Sequence, residues 1–515
     1  MYGAQAVIGT LVNAGVKVCF ANPGTSEMHL VTAIDSVEGM RPVLGLFEGV
    51  VTGMADGYAR VAGTPAATLL HLGPGLGNGF ANLHNARRAQ SPVVNIVGDH
   101  ATYHLQLDAP LTSDIAGIAR PVSGWVHSAT SSVSVGADTA RAVQAAMQTP
   151  HQVSTLILPA DVAWNEGGVV ADALPVPVPA TVSSAAVDRA AEAIRSGKRV
   201  GLLMRGDVMR ERGLVAAGRI ATLGNVKLMT DTFVPFQQSG AGRVPVTRLP
   251  YFAEQLVEFL SDLDYLVIVG TKPPVAFFAY PGKPSEGTAP HTETVYLAHM
   301  HEDGVQGLED LVTALGVSKA QPTVSPFRID DTVGDKWDQF SIGRAIARHL
   351  PENAIIANEG ATQGAGTMMA LETCVPHDQL ALTGGSIGQG LPMATGAAVA
   401  ADGQRKVVCL HGDGGAMYTV QSLWTQAREN LDVTTVIFAN RSYAILQVEL
   451  MRTGAGAPGH RAMSMLDLGS PELDWVKIAN GMGIEAVRAT TTAEFEAAFS
   501  SAMRQKGPRL IEAYL

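Results

Sequence analysis

The run HGDGGAMYTVQSLWTQARENLDVTTVIFAN, residues 411–440, holds an acid in a glycine nest near one end and an amide at the other. KVVCLHGDGG has the pattern of a strand leading into a tight turn. AMYTVQSLWTQARENL has helical spacing, with Met417, Val420, Trp424 and Ala427 on one face, and VTTVIFAN is a second strand rich in β-branched residues. In a right-handed βαβ unit the two strands are parallel, so Asp413 and Asn440 are expected at one edge of one sheet, where open α/β folds bind ligands. One carboxylate and one amide oxygen make a poor site for a soft metal. They suit Mg2+, which takes few protein oxygens and completes its octahedron with water and phosphate. Gly414, Gly415 and Ala416 would offer free N–H groups at a helix N-terminus to an anion. The spacing points to a magnesium–diphosphate site; the plainer alternative is a helix cap at Asp413 and a turn former at Asn440.

A second candidate lies near the other end of the chain. In VLGLFEGVVTGMADGYAR, Glu48 sits among apolar and small residues at a strand-to-helix transition. An acid there can simply open a helix. One deprived of water instead favours its neutral form and can donate a proton. His71, in HLGPGLGNG, closes a strand. GDHATYHLQLDAP places His100 and His104 after another strand, expected near a substrate entrance or subunit contact and given no role.

Sheets must hold these side chains. Short apolar strands alternate with helix-length segments along the 515 residues, which argues for an α/β chain of doubly wound parallel sheets. Proline-rich GGVVADALPVPVPATVSSAA and the later VSKAQPTVSPFRIDD divide it into residues 1–166, 184–320 and 331–515. The outer thirds resemble each other: GPGLGNGFANLHNA then VVNIVGDH in one, GGSIGQGLPMATGA then VVCLHGDG in the other. That suggests two domains of one fold facing a shared ligand. The middle strands KRVGLLMRGD and DYLVIVGTKPP read as Rossmann-like, but neither carries GxGxxG with a suitably placed acid, so no dinucleotide is inferred. A net charge of −11 without a basic run argues against nucleic acid. Cys19, Cys374 and Cys409 lack metal-ligand spacing and suit a reducing cytoplasm. No stretch of about twenty uninterrupted apolar residues suggests a membrane span. With 46% hydrophobic and 16% charged residues, subunit burial is expected.

The GDG turn, followed by an asparagine at the end of the next strand, resembles the thiamine diphosphate motif, and EGVVTGMADGYAR resembles that family's N-terminal pyrimidine-binding domain. The resemblance spans essentially the whole chain and implies three domains: pyrimidine-binding, Rossmann-like middle, and diphosphate-binding. It implies Mg2+ on Asp413, Asn440 and the backbone carbonyl of Ser442. The diphosphate would rest on Gly414, Gly415, Ala416, Tyr443, Ala444 and the turn around Thr362. Glu48 would share a proton with the pyrimidine N1′, Ile387 would wedge the cofactor into its bent shape, and the Gly385 carbonyl would accept from the 4′-amino group. Asn22, Pro23, Gly24 and Asn78 would complete the cofactor contacts. Because the family joins the pyrimidine domain of one subunit to the diphosphate domain of another, a homodimer or homotetramer is implied.

Acetolactate synthase and benzoylformate decarboxylase are the nearest patterns. His71 takes the place of a proton-handling histidine in the decarboxylase, and ANPGTSE offers Thr25 and, one further on, Ser26 where the decarboxylase has a substrate-binding serine. The decarboxylase's second histidine has no counterpart: PVAFFAYPG offers Phe277, Phe278 and Tyr280, an aromatic wall. The resemblance thus implies a Mg2+-dependent 2-oxo acid decarboxylase or carboligase. Its enamine at cofactor C2 would be protonated or would add to a second carbonyl, such as an aldehyde. A 2-hydroxyacyl-CoA or acyloin lyase, a flavin-dependent oxidase of the pyruvate oxidase type, and a non-catalytic cofactor-binding relative stay open; FAD is possible but not supported by the sequence.

Overall fold

A computed structural model describes residues 1–332, 336–338 and 340–515, so residues 333–335 and 339 of the expected C-terminal third lie outside the described residues. The apolar runs sort into three sheets. The first holds β1 (Val18–Asn22), β2 (Arg41–Leu44), β3 (Ala66–Leu70), β4 (Val93–Asp99), β5 (Trp125–Ser128) and β6 (Val153–Pro159), in the order β2-β1-β3-β4-β6-β5. The middle sheet contains β7 (Val200–Met204), β8 (Val226–Thr230), β10 (Thr247–Arg248), β11 (Tyr265–Val269) and β12 (Glu293–Ala298), ordered β10-β8-β7-β11-β12. The third holds β13 (Ala354–Glu359), β14 (His377–Ala381), β15 (Val407–Gly412), β16 (Val433–Ala439), β17 (Glu485–Ala489) and β18 (Arg509–Tyr514), with β9 (Gln237–Ser239) at its edge, in the order β17-β18-β16-β15-β13-β14-β9.

Every pairing is parallel except β9 with β14. Parallel sheets are covered on both faces, which is why β6 and β16 read as unbroken buried runs rather than alternating ones. The sequence division is crossed at one place. β9 comes from the middle stretch yet pairs with the outermost strand of the third sheet, Gln379 opposite Gln237. Three polar residues leave no periodic signal for such a strand.

The outer sheets are locked by two helices, Glu48–Ala62 and Gly390–Ala401. A Cβ on Gly57 would lie 2.1 Å from the Met393 carbonyl oxygen, and one on Gly396 would lie 1.9 Å from that of Met54. Each glycine therefore admits the carbonyl of the residue three positions before the other glycine, a reciprocal contact. Beside it, buried Arg60 donates to both oxygens of buried Asp56 at 2.9 and 2.7 Å, and to the Ala381 carbonyl and the Thr383 hydroxyl. The Gln389 side chain completes this network by donating to Asp56.

The helix expected after Gly415 is broken into a turn at Asp413–Ala416, a 3-10 turn at Met417–Thr419 and a helix at Ser422–Arg428. The break rotates the buried face to Ala416, Thr419, Leu423 and Gln426. Met417 is exposed, while Val420 and Ala427 pack on the core only partly buried.

Candidate active site

Parallel order brings the candidates of the C-terminal third to one edge. β14, β13, β15 and β16 are consecutive neighbours, with Asn358 opposite Ala381, Glu359 opposite His411, and Gly412 opposite Phe438. From their carboxyl ends leave, in that spatial order, the loop bearing Gly385 and Ile387, the turn bearing Thr362, Asp413, and Asn440. Asp413 is buried, and its oxygens accept from the backbone N–H groups of Gly414 (2.8 Å) and Arg441 (2.7 Å). Arg441 takes a left-handed φ of 55°, which folds the chain back so that the Ser442 N–H donates to the Asn440 side-chain oxygen at 3.1 Å. Tyr443 precedes the helix Ala444–Arg452, and its ring lies where a side chain on Gly414 would be, 2.4 Å from the ideal Cβ.

Burial lifts the Asp413 carboxyl above its ordinary range, against the pull of the two N–H groups. No Lys, Arg or His forms an ion pair with it among the described residues, and of the cationic side chains Arg441 acts on it only through space. Among the described residues no group of three or more His, Cys, Asp or Glu converges on a metal site. What stands at the ends of the adjacent strands β15 and β16 is a hard pair of oxygen-bearing side chains, Asp413 and Asn440, beside the small residues Gly414, Gly415 and Ala416. That chemistry fits a magnesium–diphosphate group.

The N-terminal candidates gather at the carboxyl edge of the first sheet, where β2, β1, β3 and β4 are neighbours. Asn22 ends β1 and ties itself to the loop after β2 by donating from its amide to the Gly45 carbonyl at 2.8 Å. Pro23 and Gly24 follow, and Thr25 stands exposed at the start of a 3-10 turn. Glu48 opens its helix, buried, and one carboxylate oxygen accepts from Asn78 at 3.0 Å; the other faces Gly75. His71 follows β3 and presents Nδ1 to Glu27 at 2.7 Å. His100 and His104 follow β4 with ring centroids 5.3 Å apart.

Within one chain the helix Leu72–Ala89 also ties the loops around these two sets together. His84 contacts the Gly384 carbonyl at 3.1 Å, Asn85 donates to the Ser386 carbonyl, and Asn82 donates to the carbonyls of Gly49 and Gly388. Ile387 projects from the loop so held, 37% exposed. No hydrogen bond or ion pair joins Glu48, His71 or Thr25 to Asp413, Asn440 or Ser442 among the described residues. The aromatic wall is placed at the same loop. The Phe277 ring lies 2.6 Å from an ideal Cβ on Gly385 and packs on Phe233, Tyr251 and Phe278. Tyr280 instead turns away and donates to Glu449 at 2.7 Å.

Three buried polar residues escape the sequence reading. Glu27 pairs with His71. Glu359 accepts from the N–H groups of Gly388 (2.7 Å) and Gly390 (2.6 Å), and His411 lies 3.4 Å from it. The signal that could have found Glu359 is an acid closing an otherwise apolar strand, AIIANE.

The description "Thiamine pyrophosphate enzyme, N-terminal TPP binding domain" fits residues 1–118, and the C-terminal TPP binding domain of the same enzymes fits residues 344–513. The chain belongs to the thiamine pyrophosphate enzyme family. It is 50% identical to the Mycobacterium tuberculosis protein named "Putative acetolactate synthase large subunit IlvX", covering 99% of this chain and 98% of that one. It is 29% identical to benzoylformate decarboxylase of Pseudomonas aeruginosa, covering 97% and 96%. Among solved structures, the thiamine diphosphate-dependent 4-hydroxybenzoylformate decarboxylase of Rhodococcus jostii RHA1 superposes with a TM-score of 0.84 over 100% of this chain and 99% of that one; at 23% identity this shows the fold. The protein is thus a thiamine diphosphate-dependent enzyme related to acetolactate synthase and benzoylformate decarboxylase.

Proposed function

We propose that the enzyme decarboxylates a 2-oxo acid and either releases the resulting aldehyde or joins it to a second carbonyl compound. Bound thiamine diphosphate supplies an electron sink at its thiazolium C2. Asp413, Asn440 and the Ser442 carbonyl would hold Mg2+, while Gly414, Gly415, Ala416, Tyr443, Ala444 and Thr362 would seat the diphosphate. Gly385 and Ile387 would fix the pyrimidine end, with Asn22, Pro23, Gly24 and Asn78 contributing from the N-terminal domain. Glu48 would hold a proton at N1′, Thr25 would receive the substrate carboxylate, and His71 would move protons at the reacting carbon or its oxygen. The two sets would come from different protomers in a homodimer or homotetramer, consistent with the lack of any hydrogen bond or ion pair between them among the described residues.

The observation that carries this reading is the first sheet's carboxyl edge, where Glu48, the Asn22–Thr25 turn and His71 leave neighbouring strands. In place of a second imidazole stands Phe277, an apolar wall that cannot protonate a product and so favours joining it to a second carbonyl. The purified protein with cofactor, Mg2+ and a panel of 2-oxo acids including pyruvate and benzoylformate should release CO2 and form aldehyde or acyloin. A panel that gave none of these would overturn the reading. Glu48→Gln should slow exchange of the C2 proton of bound cofactor by at least about a hundredfold; unchanged exchange would remove Glu48 from this role.

A further inference from the structure

Glu27 is buried, with no exposure, in the 3-10 turn that follows the Asn22–Gly24 turn. Its Oε2 accepts from the Gly24 N–H at 2.7 Å and lies 2.7 Å from His71 Nδ1; its Oε1 has no hydrogen-bond partner among the described residues. A carboxylate three residues beyond Gly24 could be merely a capping group. A cap, however, works at a surface and needs no imidazole. Here two glycines on separate segments clear space for the pair: a Cβ on Gly98 would lie 1.7 Å from Glu27 Oε1, and one on Gly24 would lie 2.3 Å from His71 Nδ1. The sequence thus keeps room at two places for a buried acid pressed against one ring nitrogen.

An ionised carboxylate only accepts, so opposite ionised Glu27 the proton sits on Nδ1, and in the neutral ring Nε2 is then the lone-pair nitrogen. Among the described residues Nε2 makes no hydrogen bond, and the ring is 23% exposed while the glutamate side chain is closed off. Burial raises the Glu27 carboxyl, and the Gly24 N–H and His71 oppose that rise.

We propose that Glu27 is a positioning residue that fixes the His71 ring with Nδ1 protonated and Nε2 open to the site, making Nε2 the atom that exchanges a proton with the substrate. This rests on the role given to His71 above. The first measurement is the 15N spectrum of the His71 ring in protein free of cofactor. It should show Nδ1 bearing hydrogen and Nε2 as the bare nitrogen, and Glu27→Gln, whose amide can donate to Nδ1, should shift the ring toward the opposite tautomer. In the loaded enzyme Glu27→Gln should lower kcat on the order of a hundredfold with KM nearly unchanged. C2 proton exchange should stay at the wild-type rate, since Glu48 is untouched. Glu27→Gln combined with His71→Ala should be no slower than His71→Ala alone. A wild-type ring with hydrogen on Nε2, a tautomer indifferent to Glu27→Gln, or additive losses would each overturn the proposal. Should Glu27→Gln fail to fold, the wild-type spectrum still decides. Absence of CO2 release would refute the proposed reaction yet leave the tautomer measurement standing, so the two failures are distinguishable.

Discussion

Asp413 is the side chain whose replacement separates binding from folding most cleanly. Among the described residues its oxygens accept only from backbone N–H groups, and an amide keeps one acceptor for them. Asp413→Asn should therefore fold, while calorimetric affinity for Mg2+ and thiamine diphosphate together should fall by about tenfold or more, because the one buried charge available to a cation is gone. At this scale much of the candidate site was legible. Asp413, Asn440 and Glu48 announce themselves because each is a lone polar group closing an apolar run. Glu27 does not. Three residues after Gly24 it looks like ordinary capping chemistry, and its partner lies 44 residues away, brought near only by the adjacency of β1 and β3. His411 is hidden for the opposite reason: inside a buried strand, it looks like a satisfied core histidine.

Helices carry the next order of consequence. The crossing of Glu48–Ala62 with Gly390–Ala401 depends on Gly57 and Gly396, each of which receives a carbonyl oxygen at a distance no Cβ tolerates. Gly396→Ala should push the helices apart and lower the unfolding free energy by roughly 1–3 kcal/mol, read from urea denaturation. Because Glu48 opens one helix and the loop with Ile387 precedes the other, cofactor affinity should fall as well. The similarity of the outer thirds was readable as repeated glycine-rich phrases, but the reciprocal contact was not, since which glycine faces which carbonyl is decided by tertiary packing.

A second interhelical tie joins Glu254, on the middle helix Ala253–Leu260, to Arg452 at the end of Ala444–Arg452, at 2.5 Å, with Lys283 at 3.1 Å. A hydrogen bond from its own backbone N–H, then Arg452 and Lys283, hold the Glu254 carboxyl down at about 2, below its ordinary 4.5. A depressed carboxyl stabilises the fold in full above its ordinary value and loses that stabilisation as pH falls toward the folded value. The urea midpoint of the wild type should therefore fall more steeply than that of Glu254→Gln as pH drops from about 4.5 to about 2; parallel profiles would show that the tie contributes nothing.

For the molecule as a whole, the sharpest test concerns how many chains make one site. If Glu48 of one protomer serves Asp413 of another, two inactive variants should repair each other. Glu48→Gln and Asp413→Asn chains co-expressed in equal amounts would form mixed dimers half of the time, each with one intact site of two, so activity should return to about a quarter of the wild-type level. A chain that completes its own site would return none. Three sheets were legible from strand and helix alternation; of the two proline-rich stretches, 317–331 holds neither helix nor strand, while the helix Ser184–Arg195 begins inside 167–186. Among the described residues no helix is long and apolar enough to cross a membrane.

The one strand that disregards those breaks, β9, has a practical consequence. Cutting the chain at its two proline-rich seams would not yield three self-sufficient pieces. Excision of the middle stretch would strip β14 of its only outer neighbour, leaving the unpaired N–H and C=O groups of His377–Gln379 as a sticky margin, prone to recruit other chains. The thirds are interlaced, and tailoring one from a relative must carry Gln237–Ser239 along with the sheet it hems.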